Sequence, residues 1–178
     1  MKKTLALAIV ATGMIAGAAP VFAQAANTST ATANGSVTIV RPVTDTKTAD
    51  LAFGRIVEPN SGSGTVSIAA NSNSVVAGSG AIALTGLTTS HAAFTVDGEG
   101  AQLVNLTMSP TFALTSGANS ITVTLDPDWN TTTNQVTLSG SSGSAGSANL
   151  NVGGHFSLPS TQASGSYTGS FSVTAAYN

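Results

Sequence analysis

Residues 165–178 read Gly-Ser-Tyr-Thr-Gly-Ser-Phe-Ser-Val-Thr-Ala-Ala-Tyr-Asn. Tyr167, Gly169, Phe171, Val173 and Ala175 fall on one face of this stretch, and Thr168, Ser170, Ser172 and Thr174 on the other. Alternation of apolar and hydroxyl residues, with aromatic and β-branched side chains on one side, reads as a half-buried β-strand. The alternation is read as breaking at Ala176, with Tyr177 on the other parity. Asn178 is the last residue of the sequence, so the strand is expected to have no covalent successor. A strand this apolar raises the question of what pairs with its free edge.

The same period of two recurs upstream. Residues 36–43 read as the first strand of the domain, with Val37, Ile39 and Arg41 on one parity and Pro42 marking an edge or an exit. Leu51 and Phe53 are expected to point inward, with Gly54 allowing a bend or bulge. Strands are further predicted over 65–69, 75–76, 81–84, 92–96, 103–108, 112–114, 121–125 and 136–138. Val104, Leu106 and Met108 are the core face of one of these strands, and Ile121, Val123 and Leu125 that of another. A hairpin-like turn is expected at Asp97-Gly98-Glu99-Gly100. Residues 140–147, Gly-Ser-Ser-Gly-Ser-Ala-Gly-Ser, lack a packing face and read as a flexible loop. Residues 149–158 read as a strand pair or a bulged strand, interrupted at Gly153-Gly154. No helical stripe of about ten residues appears beyond the N-terminus, and short strands with Gly, Ser and Asn turns predict an all-β sandwich.

At the N-terminus, Met1-Lys2-Lys3 is followed by an apolar run and then by Pro20-Val21-Phe22-Ala23. That is the layout of a secretory signal peptide over residues 1–23, cut after Ala23. The run is short of the roughly 20 residues a membrane-spanning helix needs. Residues 24–35 form an N-terminal extension, and 36–178 a single domain. Extension residues 28–33 alternate weakly, with Ala31 and Ala33 on one face. A buried methyl contributes only about 0.8 kcal/mol, against roughly 1.5–3 for Leu or Ile. Two readings of the extension stay open: a disordered secreted tail, or a strand lent to another chain, whose register either centres on Ala31 and Ala33 or includes Val37 and Ile39.

Charged residues make up 7% of the chain, far below the usual ~25%. Without Lys2 and Lys3, only Arg41, Lys47 and Arg55 stand against seven acids. Three scattered cations make no phosphate-binding stripe, so neither nucleic acid nor an anionic membrane is an expected partner. With no cysteine, stability rests on the core and the β ladder. His91 and His155 lack metal-ligand spacing. Asp126-Pro127-Asp128 lacks the further oxygen ligands of a calcium loop. No G-x-S-x-G elbow occurs. No catalytic set, metal or cofactor is expected, and the chain does not read as an enzyme. Trp129, in a polar loop, reads as a partly buried residue or as a sugar-stacking platform.

The C-terminal stretch resembles the last strand of chaperone–usher pilus subunits. These carry a glycine fourteen residues from the C-terminus, a penultimate tyrosine, and alternating apolar residues between. The matching positions are Gly165, Tyr177, and the run Tyr167, Phe171, Val173. Leu51-Ala52-Phe53-Gly54 looks like the L-x-F-G early in many pilin-like domains. Ala93-Phe94-Thr95-Val96 and Val152-Gly153-Gly154 resemble a less characterised pilin-like secreted family. The chain departs from many pilins in having no disulfide.

The resemblance implies an immunoglobulin-like β-sandwich that lacks its last strand and is completed by a donor strand from another chain. It implies a periplasmic chaperone, an outer-membrane usher and neighbouring subunits as partners, and a pilus or fimbria at the cell surface as the destination. It implies Gly165, Tyr167, Phe171, Val173 and Tyr177 as the acceptor edge, with Ala31 and Ala33 as donor. The alternative is a self-complete secreted sandwich that serves as a surface or carbohydrate-binding module.

Overall fold

The computed structural model describes residues 27–178. The signal-peptide reading lies outside the described residues. The chain divides into two units, Met1–Val37 and Thr38–Asn178. In the first, residues 27–37 form no strand, and Ala31 and Ala33 are exposed.

The second unit is all-β, a sandwich, as expected. Its strands are β1 (Thr44–Ala49), β2 (Arg55–Val57), β3 (Ser63–Ile68), β4 (Val75–Gly78), β5 (Ile82–Leu84) and β6 (Ala92–Glu99). They continue as β7 (Leu103–Met108), β8 (Thr111–Ser116), β9 (Asn119–Pro127), β10 (Gln135–Thr137), β11 (Ala145–Pro159) and β12 (Val173–Tyr177). A seven-stranded sheet runs β1-β6-β11-β3-β4, with β9 beside β11 and β8 beside β9. A three-stranded sheet runs β10-β7-β12, and β2 pairs with β5.

β11 is the spine. Val152 pairs with both Ala92 and Pro127, so β6 and β9 flank it on opposite sides. Gly154 pairs with both Ile68 and Leu125, so β3 and β9 do the same further along. β6 and β3 therefore lie end to end along one side of a single 15-residue strand. The change-over falls at Gly153-Gly154 for a steric reason. A Cβ on Gly153 would run into the Ile68 carbonyl oxygen and lie 2.6 Å from the Ala70 nitrogen.

Two apolar clusters fill the sandwich. One joins Phe94 and Val96 of β6, Leu150 and Val152 of β11, and Leu125 of β9 to Val104 and Leu106 of β7, Leu138 and Val173. It is closed between the seven- and three-stranded sheets. The other gathers Phe53, Val66, Ile68, Ile121, Val123, Phe156 and Leu158 around the second half of β11.

Four expectations are corrected. Residues 36–43 form no strand; β1 begins at Thr44 and pairs with β6. Ile39 is 86% exposed, and Pro42 has no N–H to donate to a ladder. Residues 97–100 do not turn back as a hairpin: β6 runs through Glu99, and β7 belongs to the other sheet. The Gly/Ser run is not wholly loop, since β11 starts at Ala145 and pairs with β6 from there. The alternation does not break at Ala176: Val173, Ala175 and Tyr177 all face the first cluster, two residues apart on one side of β12.

Candidate functional site

The C-terminal segment is a strand only from Val173 to Tyr177, where it pairs with β7. Upstream, residues 162–172 form no strand and have one ladder contact, Thr168 with Thr115 of β8, at N···O distances of 2.8 and 3.0 Å. Gly169 lies so close over β8 that a Cβ would strike the Ala113 carbonyl. This segment is thus held on its β8 side.

Facing it across a cleft is the segment 51–58. That segment has its own partners: Ala52 exchanges hydrogen bonds with Ser90 at 2.9 and 3.0 Å, and β2 pairs with β5, whose Leu84 also lines the cleft. Among the described residues no backbone hydrogen bond crosses from 51–58 to 162–171. The space between them is a cleft of about 1180 Å³ with residues 51–58 as one wall and 162–169 as the other. Leu114, Ile121, Phe156 and Leu158 of the second cluster form its floor. A smaller section of about 210 Å³ lies between residues 47–51 and 169–171, floored by Ala92, Phe94 and Phe112. The two sections share Leu51, Leu114 and Gly169. Gly54, at φ +72°, turns the first wall between Phe53, which packs inward edge-to-face on Phe156, and β2.

The predicted assembly residues divide between this cleft and the closed core. Gly165 and Tyr167 line the larger section. The Tyr167 hydroxyl donates to the Ala163 carbonyl (2.7 Å) and accepts from Gln162 (2.6 Å). Phe171 lines the smaller section and packs against Phe94 and Phe112, at centroid distances of 6.1 and 5.1 Å. Val173 is buried in the first cluster. Tyr177 is a fastener: its hydroxyl donates to the Arg41 carbonyl and accepts from the Glu99 N–H, each at 2.7 Å.

Sequence reasoning missed Glu99, whose side chain is buried beside that hydroxyl. Its carboxylate accepts from the Gly143 N–H and from the Arg41 guanidinium at 2.8 Å. The Gly143 N–H, and then Arg41, hold its pKa below the ordinary carboxylate value against the opposing effect of burial. Only the Gly/Ser composition of 140–147 hinted at an anion-cradling loop, and it was read as slack.

The remaining polar candidates are committed elsewhere. Asp126 meets His155 at 2.6 Å, and Asp128 accepts from the Asn151 backbone (3.0 Å) and side chain (2.7 Å). His91 faces the Ser72 carbonyl at 3.3 Å. Among the described residues no three His, Cys, Asp or Glu gather as a metal group. Trp129 is half-buried against the first cluster.

The chain matches no curated protein and no solved structure. The model of one family does match it, over residues 42–177, a span that opens just before β1 and takes in both walls of the cleft. The chain therefore belongs to the DUF4402 family, described as a domain of unknown function.

Proposed function

We propose that this chain is a structural subunit of a bacterial surface pilus or fimbria, assembled by donor-strand complementation and serving adhesion or biofilm formation. The observation that carries the reading is the cleft. Two segments face each other, each paired to a neighbour of its own and with no ladder between them, over an apolar floor. An added strand would pair with both walls and cover that floor, which is the physical basis of β-augmentation. A subunit that lends a strand at one place and accepts one at another makes head-to-tail contacts that need not close, and so yields a filament. The C-terminal resemblance supports the same reading, and with it a periplasmic chaperone that occupies the edge first and an outer-membrane usher at which the exchange occurs.

The test is a denaturing gel of the chain secreted by its native host, unheated and boiled. Strand-complemented polymers unfold slowly, so the unheated lane carries a ladder of multiples that collapses on boiling. Monomer in both lanes overturns the assembly reading and leaves the self-complete secreted module.

A further inference from the structure

Glu99 is the one buried charged side chain among the described residues. It ends β6, and glycines flank it where backbone and side chains crowd in. A Cβ on Gly98 would strike the Tyr177 hydroxyl, and one on Gly100 would lie 2.6 Å from the Ser141 carbonyl oxygen. The facing loop is tied both to β6 and to itself. The Gly100 N–H donates to the Ser144 carbonyl at 2.9 Å, and the Ser144 hydroxyl donates to the Ser141 carbonyl at 2.6 Å. The carboxylate thus sits in a built socket.

Three donors fill that socket. The Gly143 N–H meets Oε1, while the Arg41 guanidinium (2.8 Å) and the Arg41 N–H (3.4 Å) meet Oε2. The Arg41 carbonyl in turn accepts from the Tyr177 hydroxyl at 2.7 Å. Arg41 is therefore gripped by its side chain and by both of its backbone groups. Little else holds the chain around it. Residues 38–42 are exposed and make no further hydrogen bond among the described residues. Val43 is the first side chain after them to pack on a core cluster, and β1 starts only at Thr44.

A carboxylate offers acceptors alone, whereas a protonated carboxyl carries an O–H on one oxygen. On Oε1 that O–H would face the Gly143 N–H, and on Oε2 it would face both Arg41 donors. Either placement sets donor against donor and removes the charge that holds the guanidinium. We propose that Glu99 and Tyr177 form an acid-released latch on Arg41, which fixes residues 38–42 to the sandwich while Glu99 is ionised and frees them when it is protonated. The latch needs one chain only, so it stands apart from strand exchange.

The sign follows from the same contacts. The Gly143 N–H, then Arg41, hold the Glu99 pKa below its ordinary value against the effect of burial. The latch is therefore closed above the unfolded value of about 4.3 and opens as pH falls through the lower folded value. Arg41 and Tyr177 are the titratable side chains that touch Glu99, and β11 opposes it with Ala145. Asp97, two residues back on β6, is exposed. Burial raises the pKa of Asp45 on β1, so proton uptake there favours the folded chain, the opposite sign.

The test uses the full-length chain, which has no cysteine of its own. A nitroxide on Val40→Cys reads the latched segment, and one on Thr46→Cys reads β1. Trp129, the single tryptophan, packs against the first cluster and reads the core. At neutral pH both labels tumble with the domain. On acidification the correlation time of the residue-40 label falls severalfold, as an untied segment's does. Its midpoint lies below about pH 4.3, and across it the residue-46 label and the Trp129 emission keep their native values. Glu99→Gln sets amide N–H groups against the socket's donors, so its residue-40 label is already mobile at neutral pH and shows no acid step. Should that variant fail to fold, Arg41→Ala is read in its place, since the Arg41 side chain is half exposed. A residue-40 label that loosens only together with Trp129, or that stays immobile at neutral pH in the variant, overturns the latch.

Discussion

Tyr177 and Glu99 close one end of the sandwich as a single polar knot. The tyrosine hydroxyl satisfies the Glu99 N–H, and the Glu99 carboxylate holds the Gly143 N–H and Arg41. Tyr177→Phe removes the acceptor of a part-buried N–H and leaves it unsatisfied, which costs about 1–3 kcal/mol. The expected outcome is a lower urea midpoint at unchanged slope. Glu99 adds a pH dependence with a definite sign. Its pKa is lower in the folded than in the unfolded chain, so its contribution is present above the unfolded value of about 4.3. That contribution is lost as pH falls through the folded value. Melting temperature should therefore decline as pH falls below about 4.5. In Glu99→Gln the decline over that window becomes shallower, because the residual slope belongs to the other carboxylates. An identical slope in both proteins would remove Glu99 from the account.

At the scale of elements, most strands were legible because their pattern is local. Val66 and Ile68, Val104 and Leu106, and Ile121, Val123 and Leu125 alternate and are buried as their spacing demands. What misled was pairing without apolar alternation, and alternation without burial. β1, Thr-Asp-Thr-Lys-Thr-Ala, is a polar edge strand whose partner is β6, and nothing local in it predicts a ladder. Residues 36–43 begin with a well-alternating run and form no ladder, so alternation alone makes them look like the first strand of the domain. Two of the five residues expected on the acceptor edge, Val173 and Tyr177, lie on the closed side for a similar reason. Parity tells which residues share a face, but not where the strand passes from an open cleft to a closed sheet. β11 looked interrupted because Gly153 and Gly154 carry no β propensity. Their absent side chains let β3 and β9 approach the spine. Gly153→Ala puts a methyl against backbone atoms that cannot rotate away. The expected loss is at least about 1–3 kcal/mol, as for overpacked cores, read by chemical denaturation. A neutral effect would mean that the β6-to-β3 change-over relaxes freely.

For the whole molecule, the two clusters differ in how they are closed, and stability should differ with them. The first lies between two sheets and meets the smaller section of the cleft at Ala92 and Phe94; the second borders the larger section. Leu106→Ala, in the closed cluster, leaves a cavity that its neighbours cannot fill and costs about 2–5 kcal/mol. Leu158→Ala, on the cleft floor, loses the same side-chain area beside space into which the walls can settle, so its cost falls at the low end of that range. Hydrogen exchange should draw the same boundary. Amides of β6, β7 and β12 lie in ladders over the closed cluster and exchange at the slow end. Those of 51–54 and 162–171, with few ladder bonds and one side open, exchange by local opening of much lower free energy. On the proposed assembly, a strand peptide that fills the cleft would add a ladder to each wall, and the protection gained should be confined to these two segments and the floor beneath them. The melting temperature should rise with peptide concentration as mass action requires. Protection gained instead along the free edge of β12 would place the incoming strand on the three-stranded sheet and make the cleft a bystander.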